Sequence, residues 1–291
     1  MSAALASSAP MEGLVQARVA VVGHVEWVDF AVVGRLPRPG EILHAGEWWS
    51  QAAGGGGVAA VQMAKLAGGA LFLTALAGDE NGRRTAEQLA AQGVTVHAGA
   101  RDGSQRRGFV YLDDDGERTI TILGDRLVPH GDDPLPWDAL DDVGGIYFTG
   151  GDPAALHGAR RARVIVATPR AEDALMEAGV AVDVLVHSGK DAGEELDPGA
   201  LDPPPRTVVT TLGSKGGRWD GEAGSGTWES LPLPGPRVDA YGAGDSFAAG
   251  ITTGLAAGMS MRDAILLGSR CGAANMTGRG PYAGQLDLRP R

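Results

Sequence analysis

The sequence predicts an α/β protein with a mostly parallel central sheet flanked by helices, and two observations carry that expectation. Short apolar runs recur at residues 19–22, 71–76, 146–148, 164–167, 184–186 and 208–211, none alternating polar with apolar, as expected of strands covered on both faces. Helix-like segments intervene, among them 83–92, which stops at Gly93. Strand and helix alternating in this way wrap one sheet in helices, in three layers.

Taken in order, residues 1–16 are small and polar, without a basic start or a sustained apolar run. They are expected to be a disordered leader, not a secretory signal. The first apolar run is followed by Gly23-His24-Val25-Glu26-Trp27-Val28-Asp29, with His24 read as hydrogen-bonded within the core. Residues 28–51 carry Pro37, Pro39 and a turn at Gly40. A glycine run, Gly54 to Gly57, opens a helix that passes Leu66 and stops at Gly68-Gly69, and it lets backbone approach a ligand closely. Residues 109–113 and 119–123 flank an Asp-Gly turn, and Thr119-Ile120-Thr121-Ile122 alternates, the pattern of a half-exposed antiparallel hairpin. The Pro-rich stretches 132–136 and 201–205 read as connecting loops within the core, because strand signals resume promptly after each. The expected organisation is a core of 17–27, 53–104 and 125–291, with a small β flap of 28–52 and 105–124.

Composition narrows the function classes. With 291 residues, 43% of them hydrophobic, the chain can bury a substantial core. Its net charge of −11 and the lack of a long basic run exclude a nucleic-acid partner. Glycine, charge or proline interrupts each apolar stretch, so no membrane span is expected. The single cysteine, Cys271, has no companion for a disulfide or metal cluster, which fits a buried, inert thiol in a reducing cytoplasm.

The most informative stretch runs from Asp239 through Gly242-Ala243-Gly244-Asp245 into a helix with Phe247, Ile251 and Leu255 at i, i+4 and i+8. A glycine turn feeding a helix leaves backbone N–H groups unpaired at the positive end of the helix dipole, with an aspartate beside them. That is an anion cradle with a base, while Gly250 and Gly254 allow a neighbouring element to approach the helix.

This segment resembles the second signature of the ribokinase-like (PfkB) carbohydrate kinases, D-T-x-G-A-G-D, with Ala240 in place of Thr. The resemblance covers roughly residues 18–285 and implies a ribokinase-like, Rossmann-like three-layer fold, ATP and Mg2+ as cofactors, and a sugar or nucleoside as partner. It makes Asp245 the catalytic base and the amides of Gly242, Ala243 and Gly244 the anion hole. The run at Gly54 resembles the first signature, G-G-x-G-x-N-x-A, and puts Gly55, Gly56 and Gly57 at the acceptor, with Ala59 in place of the usual Asn. The family's sugar-gripping Asp falls at Val28, leaving Asp29, one residue out of phase, and Glu26 as candidates. A one-residue slip in a strand turns a side chain to the opposite face. Asp152 is a further acceptor candidate or a helix cap.

On the nucleotide side, Thr211-Leu212-Gly213-Ser214-Lys215-Gly216 resembles the T-x-G-x-x-G segment and implies ATP contacts at Thr211, Gly213 and Gly216. Ser188 and Asp191 stand where the family has N-x-x-E, implying nucleotide contact at Ser188 and Mg2+ at Asp191. Asn275 is implied beside adenine, and Asp239 with the loop after Met276 at a K+ site. The flap corresponds to a lid that often forms a homodimer surface; from the residues alone it is an edge hairpin. Trp27, Trp48 and Trp49 either stack on the acceptor or pack the flap. A nucleoside kinase and a non-catalytic nucleotide or metabolite sensor are the alternatives, and ribose is expected to be a poor acceptor.

Overall fold

In the computed structural model, described over residues 13–113 and 117–289, two sheets share the chain. Strand β1 (Val19–Val22) leads to β2 (Glu26–Val32) and β3 (Glu47–Ala53). Helix α1 (Gly55–Ala67), β4 (Ala70–Ala77), α2 (Glu80–Ala91) and β5 (Val94–Arg101) follow. The pair β6 (Arg107–Leu112) and β7 (Arg118–Leu123) precedes β8 (Gly145–Phe148), α3 (Pro153–Ala159), β9 (Ile165–Ala167) and α4 (Glu172–Glu177). Then come β10 (Val184–Ser188), β11 (Thr207–Thr211), β12 (Gly217–Gly221) and β13 (Gly226–Trp228). Helices α5 (Ala243–Ala256), α6 (Met261–Asn275) and α7 (Gly280–Ala283) close the chain.

The central sheet has nine strands in the order β13-β12-β11-β10-β9-β8-β1-β4-β5, parallel from β11 through β5. All six expected apolar runs are strands of its parallel part. The reason is visible in β1, all four of whose residues are buried. Val19 and Val21 join one core with Phe72, Tyr147 and Ile251, while Ala20 and Val22 join the other with Leu73, Ile146 and Phe148. Burying each large apolar side chain contributes about 1.5–3 kcal/mol, so both faces need apolar residues and alternation disappears.

Strands β5, β12 and β13 gave no such run. Strands β5 and β13 are the sheet's two edges with one side open, and β12, between β11 and β13, pairs antiparallel with both, bringing Trp219 and Trp228 into contact, ring centroids 6.3 Å apart. The second sheet, β3-β2-β6-β7, is built from the segments expected to form the flap, with β2 and β6 parallel. Strand β7 is exposed along its whole length, more open than a half-exposed hairpin strand. The expected Asp-Gly turn between β6 and β7 falls on 114–116, outside the described residues.

Of the expected leader, residues 1–12 also lie outside the described ones, but 13–15 are helical and Leu14 is fully buried against Leu66, Leu267 and Cys271. Apolar packing overrides the small, polar character of that stretch. Helix α5 is buried on nearly all sides, not along one stripe alone. Its glycines admit α6: a Cβ at Gly250 would lie 2.7 Å from Gly268 Cα, and one at Gly254 3.0 Å from Ala264 Cα.

Candidate active site

A cleft of about 660 Å3 opens where the carboxyl ends of β1, β8, β9, β10 and β11 meet the amino ends of α1 and α5. Ligands of open α/β sheets collect there because helix amides and strand-end loops face the same space. Gly242 adopts a φ of +79° as the residue before α5, a conformation glycine allows, and a Cβ there would be 2.7 Å from Val58 Cγ1. The first intrahelical bond, Ser246 N–H to Gly242 C=O at 2.9 Å, leaves the amides of Gly244 and Asp245 ahead of the ladder. Gly242, Ala243, Gly244 and Asp245 all line the cleft.

The Asp245 carboxylate lies over Gly55, whose missing Cβ would stand 2.9 Å from Asp245 Oδ1. The second glycine turn is therefore small because the carboxylate occupies the space. Tyr241 joins the two turns, its hydroxyl accepting from the Gly54 N–H at 3.3 Å. Although partly reached by solvent through the cleft mouth, Asp245 is surrounded by protein. Burial raises its pKa to about 6, Glu194 pushes the same way, and Arg170, Arg118 and Arg126 oppose. Such a group is ionised at neutral pH yet more basic than an ordinary aspartate, which suits proton abstraction.

At one end of the cleft lie His24, Glu26, Arg106, Arg126 and Thr149. Arg106 Nε is 2.9 Å from Glu26 Oε1, and burial raises the Glu26 pKa against the pull of Arg106 and Arg126. His24 Nδ1 is 2.9 Å from Arg126 Nη2. A guanidinium only donates, so Nδ1 accepts and the ring proton sits on Nε2. Burial, then Arg126, Arg106 and Arg170, hold the His24 pKa well below its usual value, keeping the ring neutral.

At the other end are Ser188, Lys190, Asp191, Glu194, Thr211 and Gly213. Ser188 Oγ accepts from the Lys190 and Asp191 amides, each at 3.2 Å, and Glu194 Oε2 accepts from the Ser188 amide at 2.7 Å. Arg170 bridges Asp191 at 2.5 Å and Glu194 at 3.3 Å.

Several expected site residues lie elsewhere. Asp29 sits on the opposite face of β2 from Glu26, bonded to Ser50 and Arg107 at 2.5 Å each, as a slip without a compensating bulge dictates. Asp152 caps α3, accepting from Ala155 N at 2.7 Å and Gly131 N at 2.9 Å, and does not line the cleft. Asn275 is fully buried and donates to Pro281 O at 2.9 Å, so it clamps the final turn and cannot reach a nucleotide in the cleft. Gly216 is small for packing: a Cβ there would be 1.9 Å from Trp228 O. Gly56 and Gly57 face His24 O, Phe72 and Val25 in the core, leaving Gly54 and Gly55 as the cleft residues of that run.

None of the three lid tryptophans lines the cleft. Trp27 is buried under Arg84, Trp49 stacks on Phe30 with centroids 4.9 Å apart, and Trp48 is 76% exposed. Asp239 is buried, with its carboxylate accepting from Tyr241 N at 2.8 Å and Gly280 N at 2.9 Å. Sequence reasoning passed over Arg106, Arg118, Arg126, Arg170, Lys190 and Glu194. They stand in separate loops and strands with no motif between them, so only the fold brings them together.

Comparison with known proteins gives the fold and family. A family model described as "pfkB family carbohydrate kinase" matches residues 16–181 and 194–287. Fructoselysine 6-kinase of Escherichia coli is 40% identical over 77 residues, 26% of this chain and 28% of that enzyme. Inositol 3-kinase of Oryza sativa is 48% identical over 69 residues, 23% of this chain and 16% of that protein. The matched segments thus span well under a third of these relatives' lengths. Among solved structures, a ribokinase from Thermotoga maritima superposes with a TM-score of 0.73 at 21% identity, covering 93% of this chain and 96% of the other. Arabidopsis thaliana ribokinase complexed with ribose and ATP gives 0.71 at 19% identity, covering 93% and 96%. Adenosine kinase from Sinorhizobium meliloti gives 0.72 at 20% identity, covering 91% and 95%. With a family model spanning most of its length and these neighbours sharing its fold, the chain belongs to the pfkB family of carbohydrate kinases.

Proposed function

We propose that the protein transfers the γ-phosphoryl group of ATP to a hydroxymethyl group of a sugar or sugar-like small molecule, with Asp245 as general base. The observation that carries this reading is one carboxylate, raised in pKa by burial, at the amide-lined start of α5 between two ligand-sized ends of one cleft. The acceptor hydroxyl oxygen forms the new bond to the γ-phosphorus and its proton passes to Asp245. The bond to the β-phosphate oxygen breaks, and ADP leaves. In this reading the amides of Gly242 and Gly244 stabilise the charge that gathers on the transferring group, while that of Ala243 already donates to Ala240 O at 3.4 Å.

Glu26, Gly55 and neutral His24 form the acceptor end in this reading, and Ser188, Thr211 and Gly213 the nucleotide end. Arg170 sits between Asp191 and Glu194, and both carboxylates fit a magnesium ion held through water, because that ion retains several waters. Magnesium supplies charge neutralisation on the phosphates. A monovalent cation at Asp239 would rest on lone pairs left over from two amide bonds. The exposed strand β7 turns Arg118, Ile120 and Ile122 to the cleft, which fits a lid closing over the acceptor. Exposed Trp48 and Ile42 fit a homodimer surface on the same sheet. A cytoplasmic site of action agrees with the one buried thiol.

A nucleoside acceptor loses the stacking contact that the lid tryptophans would have offered, because none of them lines the cleft. ADP release measured against a panel of sugars, sugar derivatives and nucleosides tests the proposal. Absence of ATP consumption with every class of acceptor would refute it in favour of a non-catalytic sensor.

A further inference from the structure

Arg126 differs from the other cationic side chains of the cleft in what it touches. Its guanidinium donates to Thr149 O at 3.3 Å, Arg170 O at 2.5 Å and His24 Nδ1 at 2.9 Å, all uncharged acceptors. Among the described residues no carboxylate lies within 4.0 Å of it. By contrast Arg106 is matched by Glu26, and Arg170 by Asp191 and Glu194. Arg118 also donates to an uncharged acceptor, Ala240 O at 3.2 Å, but it and Lys190 are exposed at the open mouth. A half-buried guanidinium without a counter-ion is costly, and burial lowers its pKa to about 10.

Its position decides which ligand it serves. Of its partners, His24 follows β1, Thr149 follows β8 and Arg170 follows β9, whereas the proposed nucleotide contacts follow β10 and β11. Adjacent strands are about 4.8 Å apart, so the end of β1 lies roughly 14–19 Å from the ends of β10 and β11. Two of its three partners thus lie on the β1–β8 side, beside Glu26 and Arg106, and we assign Arg126 to the acceptor end. The two positions where the family pattern supplies polar grip there, Val28 and Ala59, are apolar and fully buried.

Resting on the kinase reading above, we propose that the acceptor carries an oxyanion group, a carboxylate or a phosphate ester, which pairs with Arg126 while a hydroxymethyl group faces Asp245. A guanidinium binds either group through two parallel hydrogen bonds. Glu26, already paired with Arg106, remains to accept from hydroxyls of the same molecule.

The test is ADP release by the full-length protein with matched acceptors that keep a free hydroxymethyl group. Glucose is paired with gluconate, fructose with fructose 6-phosphate, and further neutral sugars with their aldonates and 2-keto-aldonates. At least one anionic member is expected to exceed its neutral partner about 100-fold in kcat/KM, and whether acids or phosphates respond identifies the group. Arg126→Gln is expected to remove at least about 30-fold of that preference through the acceptor KM, and Arg126→Lys to restore part of it. Melting curves establish that both variants fold, and the wild-type panel stands without them. Neutral acceptors matching or exceeding every anionic partner would overturn the proposal and leave the kinase reading in place. An Arg126→Gln defect in the ATP KM, or equal in kcat for both classes, would overturn it by assigning Arg126 to the transferring phosphoryl group. No ADP release with any acceptor would overturn both readings.

Discussion

Replacing Asp245 with Asn separates the proposed chemistry from the stability of the fold, because the carboxylate works against folding while it serves as base. Its pKa rises from 3.8 to about 6, chiefly through burial. Each pKa unit corresponds to about 1.4 kcal/mol, so the ionised carboxylate destabilises the native state by roughly 3 kcal/mol. A raised carboxyl pKa means that folding favours the protonated form. Below about pH 4 the group is neutral in both states and the penalty vanishes; it grows between about pH 4 and 6 and is complete above. Asn resembles the protonated acid in shape and charge. Asp245→Asn should therefore melt with the parent at about pH 4 and roughly 5 °C or more above it at about pH 8. Turnover should fall by about 10²–10⁴, with ATP affinity kept within a few-fold. Thermal melts across pH, coupled to an ADP-release assay, check both parts. A variant that melts lower than the parent at about pH 8, or that retains near-parental turnover, would refute the reasoning.

The same pKa sets the pH profile: kcat/KM for the acceptor should rise through about pH 6 and level off above it, as Asp245 loses its proton. Gly55→Ala puts a Cβ 2.9 Å from Asp245 Oδ1 and should lower kcat more than tenfold with little change in melting temperature. Gly56→Ala instead meets His24 O at 2.5 Å and Phe72 at 3.0 Å, so melting should show a loss of about 1–3 kcal/mol. Asp29→Asn, at a partly exposed pair with Arg107, should leave the acceptor KM unchanged and shift stability by less than about 1 kcal/mol.

Much of the fold was legible because its signals are local. A strand covered on both faces must be apolar at every position, so β1, β4 and β8 announce themselves by composition alone. The turn at Gly242 to Asp245 was legible for a similar reason, since its backbone and its carboxylate act within four residues. Edge strands escape that logic: β5 carries polar and exposed positions because one side has no neighbour. Leu14 escaped too, since its burial depends on Leu66 and Leu267, which are remote in sequence. The glycine run at 54–57 was located correctly but read too uniformly. Gly54 and Gly55 meet the cleft, whereas Gly56 and Gly57, already inside α1, turn into the core.

The charge of the cleft was least legible, and the reason is physical. A net charge of −11 describes the whole surface, whereas a site responds to charges within a Debye length, about 8 Å at physiological ionic strength. Residues 106, 118, 126 and 170 belong to four separate segments, and none lies in a basic run. Convergence gives them their effect: His24 is held neutral by burial together with three of these arginines. Apolar residues at 28 and 59 suggest, read singly, a pocket stripped of polar partners, with tryptophans compensating. In the fold, Val28 and Ala59 pack in the core, the tryptophans face elsewhere, and polar groups reach the cleft instead from Arg106 and Arg126, in the segments that border β7. A lost hydrogen-bonding group at one position therefore says little about acceptor preference until the groups arriving from other elements are counted. Here their sum is an excess of positive charge, centred on the half-buried guanidinium of Arg126, which lacks an acid partner among the described residues.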